Sequence, residues 1–147
     1  MQIKIGDFGL ASKIELGGEP RNTLCGTPNY IAPEVLEGPA EGHSYEVDVW
    51  ALGVIVYTLL FGKPPYESNN VKLTYKKIMN NKFSYPENSG ISAFAKDLID
   101  RMLVLNPIMR LSIFEVLNHP WMKSRCGIPE LLETSALRRP PTNQYIM

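Results

Sequence analysis

The chain has 147 residues, room for one domain that buries about 70% of its unfolded surface, and at 44% hydrophobic and 20% charged it has a globular composition. Lysine plus arginine equals aspartate plus glutamate at 15 each, so no global field favours nucleic acid or a membrane surface, and local charge decides partners. Cys25 and Cys126 stand far apart, which fits neither a disulfide framework nor a zinc site and favours a reducing compartment.

In chain order, Met1 to Asp7 meets charge too soon for a signal-peptide core. Gln2 to Ile5 reads as a short strand with Ile3 and Ile5 on one face and Gly6 as its end. Asp7 to Pro33 shows no sustained period, and Gly17-Gly18-Glu19-Pro20 breaks any regular element. A loop of that length in a compact domain is usually functional or disordered. Ala32-Pro33-Glu34-Val35-Leu36 then reads as a helical turn with proline at a tolerated position.

Tyr45 to Gly62 reads as a helix, apolar almost all round and so expected to be covered on every side, with Gly62 as its stop. Its uncharged stretch from Val49 to Phe61 falls short of the roughly 20 residues a membrane span needs. Val71 to Met79 is a short amphipathic helix and Phe83 to Gly90 a loop. Ser92 caps a helix running to Leu105, with Phe94, Leu98, Met102 and Leu105 as its buried face. Ser112 and Glu115 form a capping box for a further short helix with Val116 and Leu117 facing inward. His119, without an evident partner, is taken as structural, and His43 as solvated. Arg138-Arg139 is too short a run to argue for nucleic acid. Arg138 to Thr142 reads as an extended tail.

The chemistry-bearing residues come in a fixed order. Asp7-Phe8-Gly9 directly follows the first strand, Ala32-Pro33-Glu34 comes later, and Thr23-Leu24-Cys25-Gly26-Thr27-Pro28 lies between. That order is part of the protein-kinase signature. Asp48-Val49-Trp50-Ala51-Leu52-Gly53, Gly62-Lys63-Pro64-Pro65-Tyr66 and Leu105-Asn106-Pro107-Ile108-Met109-Arg110 follow in the order the same family shows. The stretch Thr23 to Leu36, with Asn29-Tyr30-Ile31 in it, resembles the polo-like Ser/Thr protein kinases, as does the tail from Pro129 to Tyr145.

That resemblance implies a protein kinase-like (α+β) fold, of which this chain is the mostly α-helical C-lobe from the Asp-Phe-Gly strand onward. Residues 1–123 are then kinase domain, with the activation segment at 7–34, and 124–147 a C-terminal extension. The implied activity is ATP-dependent phosphorylation of Ser or Thr in protein substrates, with a mitotic, cytoplasmic or nuclear setting such as centrosome, spindle or kinetochore. By the same resemblance Asp7 coordinates the magnesium that bridges the ATP phosphates, Phe8 packs inward and Gly9 supplies a permissive backbone. Thr23 is the activating phosphosite of an upstream kinase, and Thr27 selects Ser/Thr over Tyr substrates. Glu34 and Arg110 form an ion pair, and Asp48 anchors the core by accepting bonds from the catalytic loop, or simply favours a helix N-terminus. No nucleic-acid partner and no membrane span are expected.

The 147 residues hold no His-Arg-Asp triplet, no Gly-rich phosphate loop and no ATP lysine. On their own they are expected to be inactive. The alternative to a piece of an active kinase is a non-catalytic lobe acting as a binding or decoy module.

Overall fold

An apolar helix sits at the centre of this chain because its sequence leaves it no polar face to show. The computed structural model describes residues 4–11, 27–38 and 44–125. Among them the helices are α1 (Pro33–Glu37), α2 (Glu46–Phe61), α3 (Val71–Met79), α4 (Ala93–Met102), α5 (Ile113–Asn118) and α6 (Pro120–Arg125). Short 3-10 turns occupy Phe8–Leu10, Pro28–Tyr30 and Pro107–Met109. Thr23, Cys25, His43, Cys126, Gln2, Ile3 and the tail from 126 lie outside the described residues.

The chain's own punctuation sets the helix ends. Gly62 closes α2 at φ 80°, a left-handed conformation glycine adopts without Cβ strain, and donates its N–H to Thr58 O at 2.8 Å. The Ser92 hydroxyl accepts the Ala95 N–H at the start of α4. Ser112 and Glu115 form the reciprocal capping box of α5.

Two apolar clusters form the core. In the first, Trp50, Val54 and Tyr57 of α2 meet Ala32, Tyr66, Ile78, Ile99 and Leu103. In the second, Val49 meets Leu98, Met102 and Val116. Helix α2 lies against α4, and Gly53 permits the close approach. A Cβ at Gly53 would stand 2.9 Å from Leu103 Cδ2 and 3.0 Å from Met102 Cβ. Tyr66 stacks on Trp50 at 5.5 Å between ring centroids, and its hydroxyl donates to Asn81 Oδ1 at 2.7 Å. Asn81 in turn donates from Nδ2 to Leu103 O at 2.8 Å, tying the end of α3 to the end of α4.

Several expectations need correction. Lys4 and Ile5 are in no strand, and no strand occurs among the described residues, because a strand needs a neighbour to complete its ladder. Helix α4 stops at Met102 rather than Leu105, and its buried face is Ala95, Leu98, Ile99 and Met102; Phe94 is 57% exposed. On α5, Leu117 is exposed while Val116 is buried. Helix α2 is not covered on every side, since Leu52, Ile55 and Leu59 reach solvent, Leu59 at 78%. None of the helices described is long and apolar enough to cross a membrane.

Candidate functional site

Arg110 is the most fully bonded side chain among the candidate residues. It follows the Pro107–Met109 turn, whose first residue, Pro107, accepts the Arg110 N–H. From there its side chain, 0% exposed, runs inward to the start of α2. Nη1 donates to Glu34 Oε1 at 2.8 Å and to Glu46 O at 2.6 Å. Nη2 donates to Glu34 Oε2 and Val104 O, each at 3.0 Å, and Nε donates to Val104 O at 3.2 Å. A guanidinium has five N–H donors, and all five are used. The Trp50 ring also lies beneath it, 5.1 Å from guanidinium carbon to ring centroid. A buried cation is tolerated only with such complete satisfaction.

Glu34 reaches this point because α1 begins with Pro33 at N1, which presets the backbone and buries the proline. Its carboxylate sits in the first turn, on the favourable side of the peptide dipoles. The pair therefore joins the end of the Asp7–Glu34 segment to the helical body. Just upstream, the Pro28–Tyr30 turn is closed by the Tyr30 N–H to Thr27 O bond at 2.9 Å and lies against α2 and α3. Thr27 itself is exposed.

The remaining candidates are placed differently. Asp48 is exposed in the first turn of α2, and no described residue bonds its carboxylate. Asp7 is exposed in the left-handed region at φ 61°, ψ 70°, and its side chain does not cap the turn that follows. Phe8 is 68% exposed, as are its described neighbours in residues 4–9, so among the described residues it is not packed inward. The left-handed backbone falls on Asp7 and not on Gly9, where a Cβ would meet only Asp7 Oδ1, at an ordinary 3.4 Å. Strained backbone of this kind concentrates at functional positions.

Sequence reasoning missed the partners of His119. The ring is buried, its Nδ1 accepts the Trp121 N–H at 3.2 Å, and Nε2 faces Asp97 Oδ2 at 2.9 Å. With Nδ1 occupied as an acceptor, the ring proton is on Nε2 and is donated to Asp97. That bond, and then the neighbouring Arg101, holds the Asp97 carboxyl below its ordinary range. Burial pushes the Tyr66 phenol up, so it remains a donor. No described group of His, Cys, Asp or Glu clusters as a ready-made metal cage.

Comparison with known proteins places the chain in a family. The family model described as "Protein kinase domain" matches residues 1–122, and the chain belongs to that family. Among its relatives are proteins named as PLK and CDC5 serine/threonine-protein kinases. The chain is 53% identical over 146 residues to the Zea mays protein named "Probable serine/threonine-protein kinase CCRP1", covering 99% of this chain and 23% of that one. It is 50% identical over 141 residues to serine/threonine-protein kinase PLK1 of Xenopus laevis, covering 96% and 23%. Against the cell cycle serine/threonine-protein kinase CDC5/MSD2 of Saccharomyces cerevisiae it is 49% identical over 121 residues, covering 82% and 17%. The chain thus spans less than a quarter of the length of these relatives.

Proposed function

We propose that this chain is the C-terminal-lobe part of a polo-like Ser/Thr protein kinase, which transfers phosphate from ATP to Ser or Thr hydroxyls of protein substrates in the cell cycle. The observation that carries this reading is the Arg110–Glu34 clamp, which fixes one end of a segment whose other end is Asp7-Phe8-Gly9.

Asp7 fits a magnesium ion by its chemistry. Its hard, exposed carboxylate needs few protein companions, because Mg²⁺ keeps waters and substrate phosphates around one or two carboxylates. The metal, when bound, supplies positive charge at the phosphates. This chain's own part is to hold the Asp7 oxygens outward and to keep the Thr27–Glu34 stretch against α2 and α3, where a substrate segment is presented. Thr23 is the position an upstream kinase phosphorylates in this reading, adding roughly 1.5–2 negative charges that recruit arginine. The protein's setting is mitotic, at centrosome, spindle or kinetochore.

The 147-residue polypeptide alone carries no catalytic base and no ATP lysine, and kinase catalysis is mostly positioning and charge stabilisation. It is therefore inactive by itself. The test is phosphoryl transfer to casein with ATP and magnesium, by these residues joined to an upstream kinase lobe and by the polypeptide alone. Transfer by the joined domain that Asp7→Asn abolishes is the expected result. Transfer by the polypeptide alone, or a joined domain that is inert although folded, overturns the reading; the inert domain leaves the binding-module alternative in its place.

A further inference from the structure

Asn81 combines a backbone conformation that few residues take with a side chain bonded in two directions. It lies just past α3 at φ 45°, in the left-handed region that asparagine tolerates better than most side chains. Its N–H donates to Ile78 O at 2.9 Å and so closes the end of the helix. Nδ2 donates to Leu103 O at 2.8 Å, at the end of α4, and Oδ1 accepts the Tyr66 hydroxyl at 2.7 Å. Tyr66 is fully buried, and its ring stacks on Trp50 with an interplanar angle of 5°. The Trp50 ring in turn lies beneath the Arg110 guanidinium that holds Glu34. Helix α3 itself packs against α1 and the Pro28–Tyr30 turn. Asn81 therefore stands where the end of α3, the end of α4 and the ring stack under Arg110 meet.

We infer that Asn81 and Tyr66 are positioning residues for the protein substrate: their bond seats α3 against the Thr27–Glu34 stretch and so holds that stretch where a substrate segment is received. Neither residue touches substrate or nucleotide. They act through α3 on the Pro28–Tyr30 turn, and through Trp50 and Arg110 on Glu34. The substrate role rests on the kinase reading proposed above, whereas the hold on the Thr27–Glu34 stretch follows from the packing alone. Tyr85 is the natural control. Its hydroxyl donates to Asp100 Oδ1 at 2.7 Å and lies 3.2 Å from Lys96 O, both on α4 and neither on the path to Glu34.

The test uses the joined domain, upstream lobe included. Asn81→Gly keeps a residue at ease in the left-handed region and removes both side-chain bonds. Tyr66→Phe removes the hydroxyl and keeps the stack, and Tyr85→Phe removes a hydroxyl bond elsewhere. Steady-state kinetics give KM for casein and for ATP. Hydrogen exchange follows the amides of Tyr30, Val35 and Leu36, which bond to Thr27 O and Ala32 O. A lost hydrogen bond is worth a factor of roughly 2–12. Asn81→Gly and Tyr66→Phe are each expected to raise KM for casein about threefold or more, leave KM for ATP unchanged, and speed the three amides by a similar factor. The double variant should be no worse than Asn81→Gly. Tyr85→Phe should lower the thermal midpoint and cause neither change. Equal rises in both KM values, an unchanged KM for casein, unmoved amides, or the same changes from Tyr85→Phe each overturns the inference. A parent domain that is folded but inert overturns the kinase reading and the substrate role with it, and exchange then shows by itself whether Asn81 and Tyr66 hold the Thr27–Glu34 stretch.

Discussion

Arg110 and Glu34 stand 76 residues apart in sequence and meet in a two-pronged bond, Nη1 to Oε1 at 2.8 Å and Nη2 to Oε2 at 3.0 Å. Neither side chain is much exposed, at 0% and 12%, so this is closer to a buried pair than to a surface one. Removing one member of a buried pair costs roughly 3–5 kcal/mol, because the other charge is stranded, whereas an exposed pair contributes only about 0–1 kcal/mol. In a domain with its upstream lobe joined, Arg110→Ala and Glu34→Ala are each expected to lower stability strongly. The double variant should be little worse than Arg110→Ala. Arg110→Lys should not rescue, since an ammonium cannot reach Glu34, Glu46 and Val104 together. Denaturant unfolding of the four-variant cycle decides it, and strictly additive losses would contradict coupling.

Gly53 makes a second prediction with two opposed terms. Replacing a mid-helix glycine with alanine favours the helix by about 1 kcal/mol. Overpacking a tight interface costs about 1–3 kcal/mol. The Leu103 Cδ2 atom, 2.9 Å from the new Cβ, belongs to a side chain that can turn, but Met102 Cβ at 3.0 Å is fixed to the backbone. The clash therefore wins, and Gly53→Ala should lower the thermal midpoint of the joined domain. A variant as stable as the parent would show that α2 and α4 separate easily.

Much of this architecture was legible because it is local. Gly62, Ser92 and the Ser112–Glu115 box act on their own neighbours, and the structure has all three at helix ends. The buried face of α4 was misjudged for a physical reason. Phe94-Leu98-Met102 steps by four and four and Ala95-Ile99-Met102 by four and three, both of them helical spacings, and size favours the phenylalanine, while the structure buries the small Ala95. The family resemblance implies an open side on α2 where a preceding helix would pack, but a helix so uniformly apolar has no phase to read, so its residues do not say that Leu52, Ile55 and Leu59 form it. The bonds from Arg110 to the Glu46 and Val104 carbonyls are to backbone and leave no mark on residue identity. His119 and Asp97 lie 22 residues apart, beyond any local pattern.

That last pair gives a pH prediction. Asp97 is held below the ordinary carboxyl range chiefly by the His119 bond, and Glu115 is held below it by the Ser112 N–H and hydroxyl. A carboxyl depressed on folding stabilises the fold above its unfolded pKa, about 4, and that contribution is lost as pH falls through the lower folded value. The thermal midpoint of the joined domain should thus fall off as pH drops below about 4. Asp97→Asn with Glu115→Gln should have a lower midpoint at neutral pH and a shallower acid limb. An acid limb identical to the parent's would remove both carboxyls from the account.

Helix α2 supplies the last prediction. Leu52, Ile55 and Leu59 lie three and four residues apart, on one face, and all three reach solvent while Trp50, Val54 and Tyr57 are buried opposite. Fully burying a large apolar side chain is worth roughly 1.5–3 kcal/mol, against a total stability of about 5–15 kcal/mol for a domain. Three such side chains on one helix are a substantial part of that stability left unrealised. The 147-residue polypeptide by itself should therefore self-associate or pack loosely, and Leu59→Gln should reduce light scattering at equal concentration. In the joined domain the same substitution should have the opposite sense: if the upstream lobe covers this face, Leu59→Gln removes a contact and lowers the thermal midpoint. The two measurements together separate a covered face from an idle one. A polypeptide that sediments as a monomer and melts in one sharp two-state transition would show that the exposed side of α2 costs the fold nothing. A joined domain indifferent to Leu59→Gln would show that the upstream lobe does not lie there.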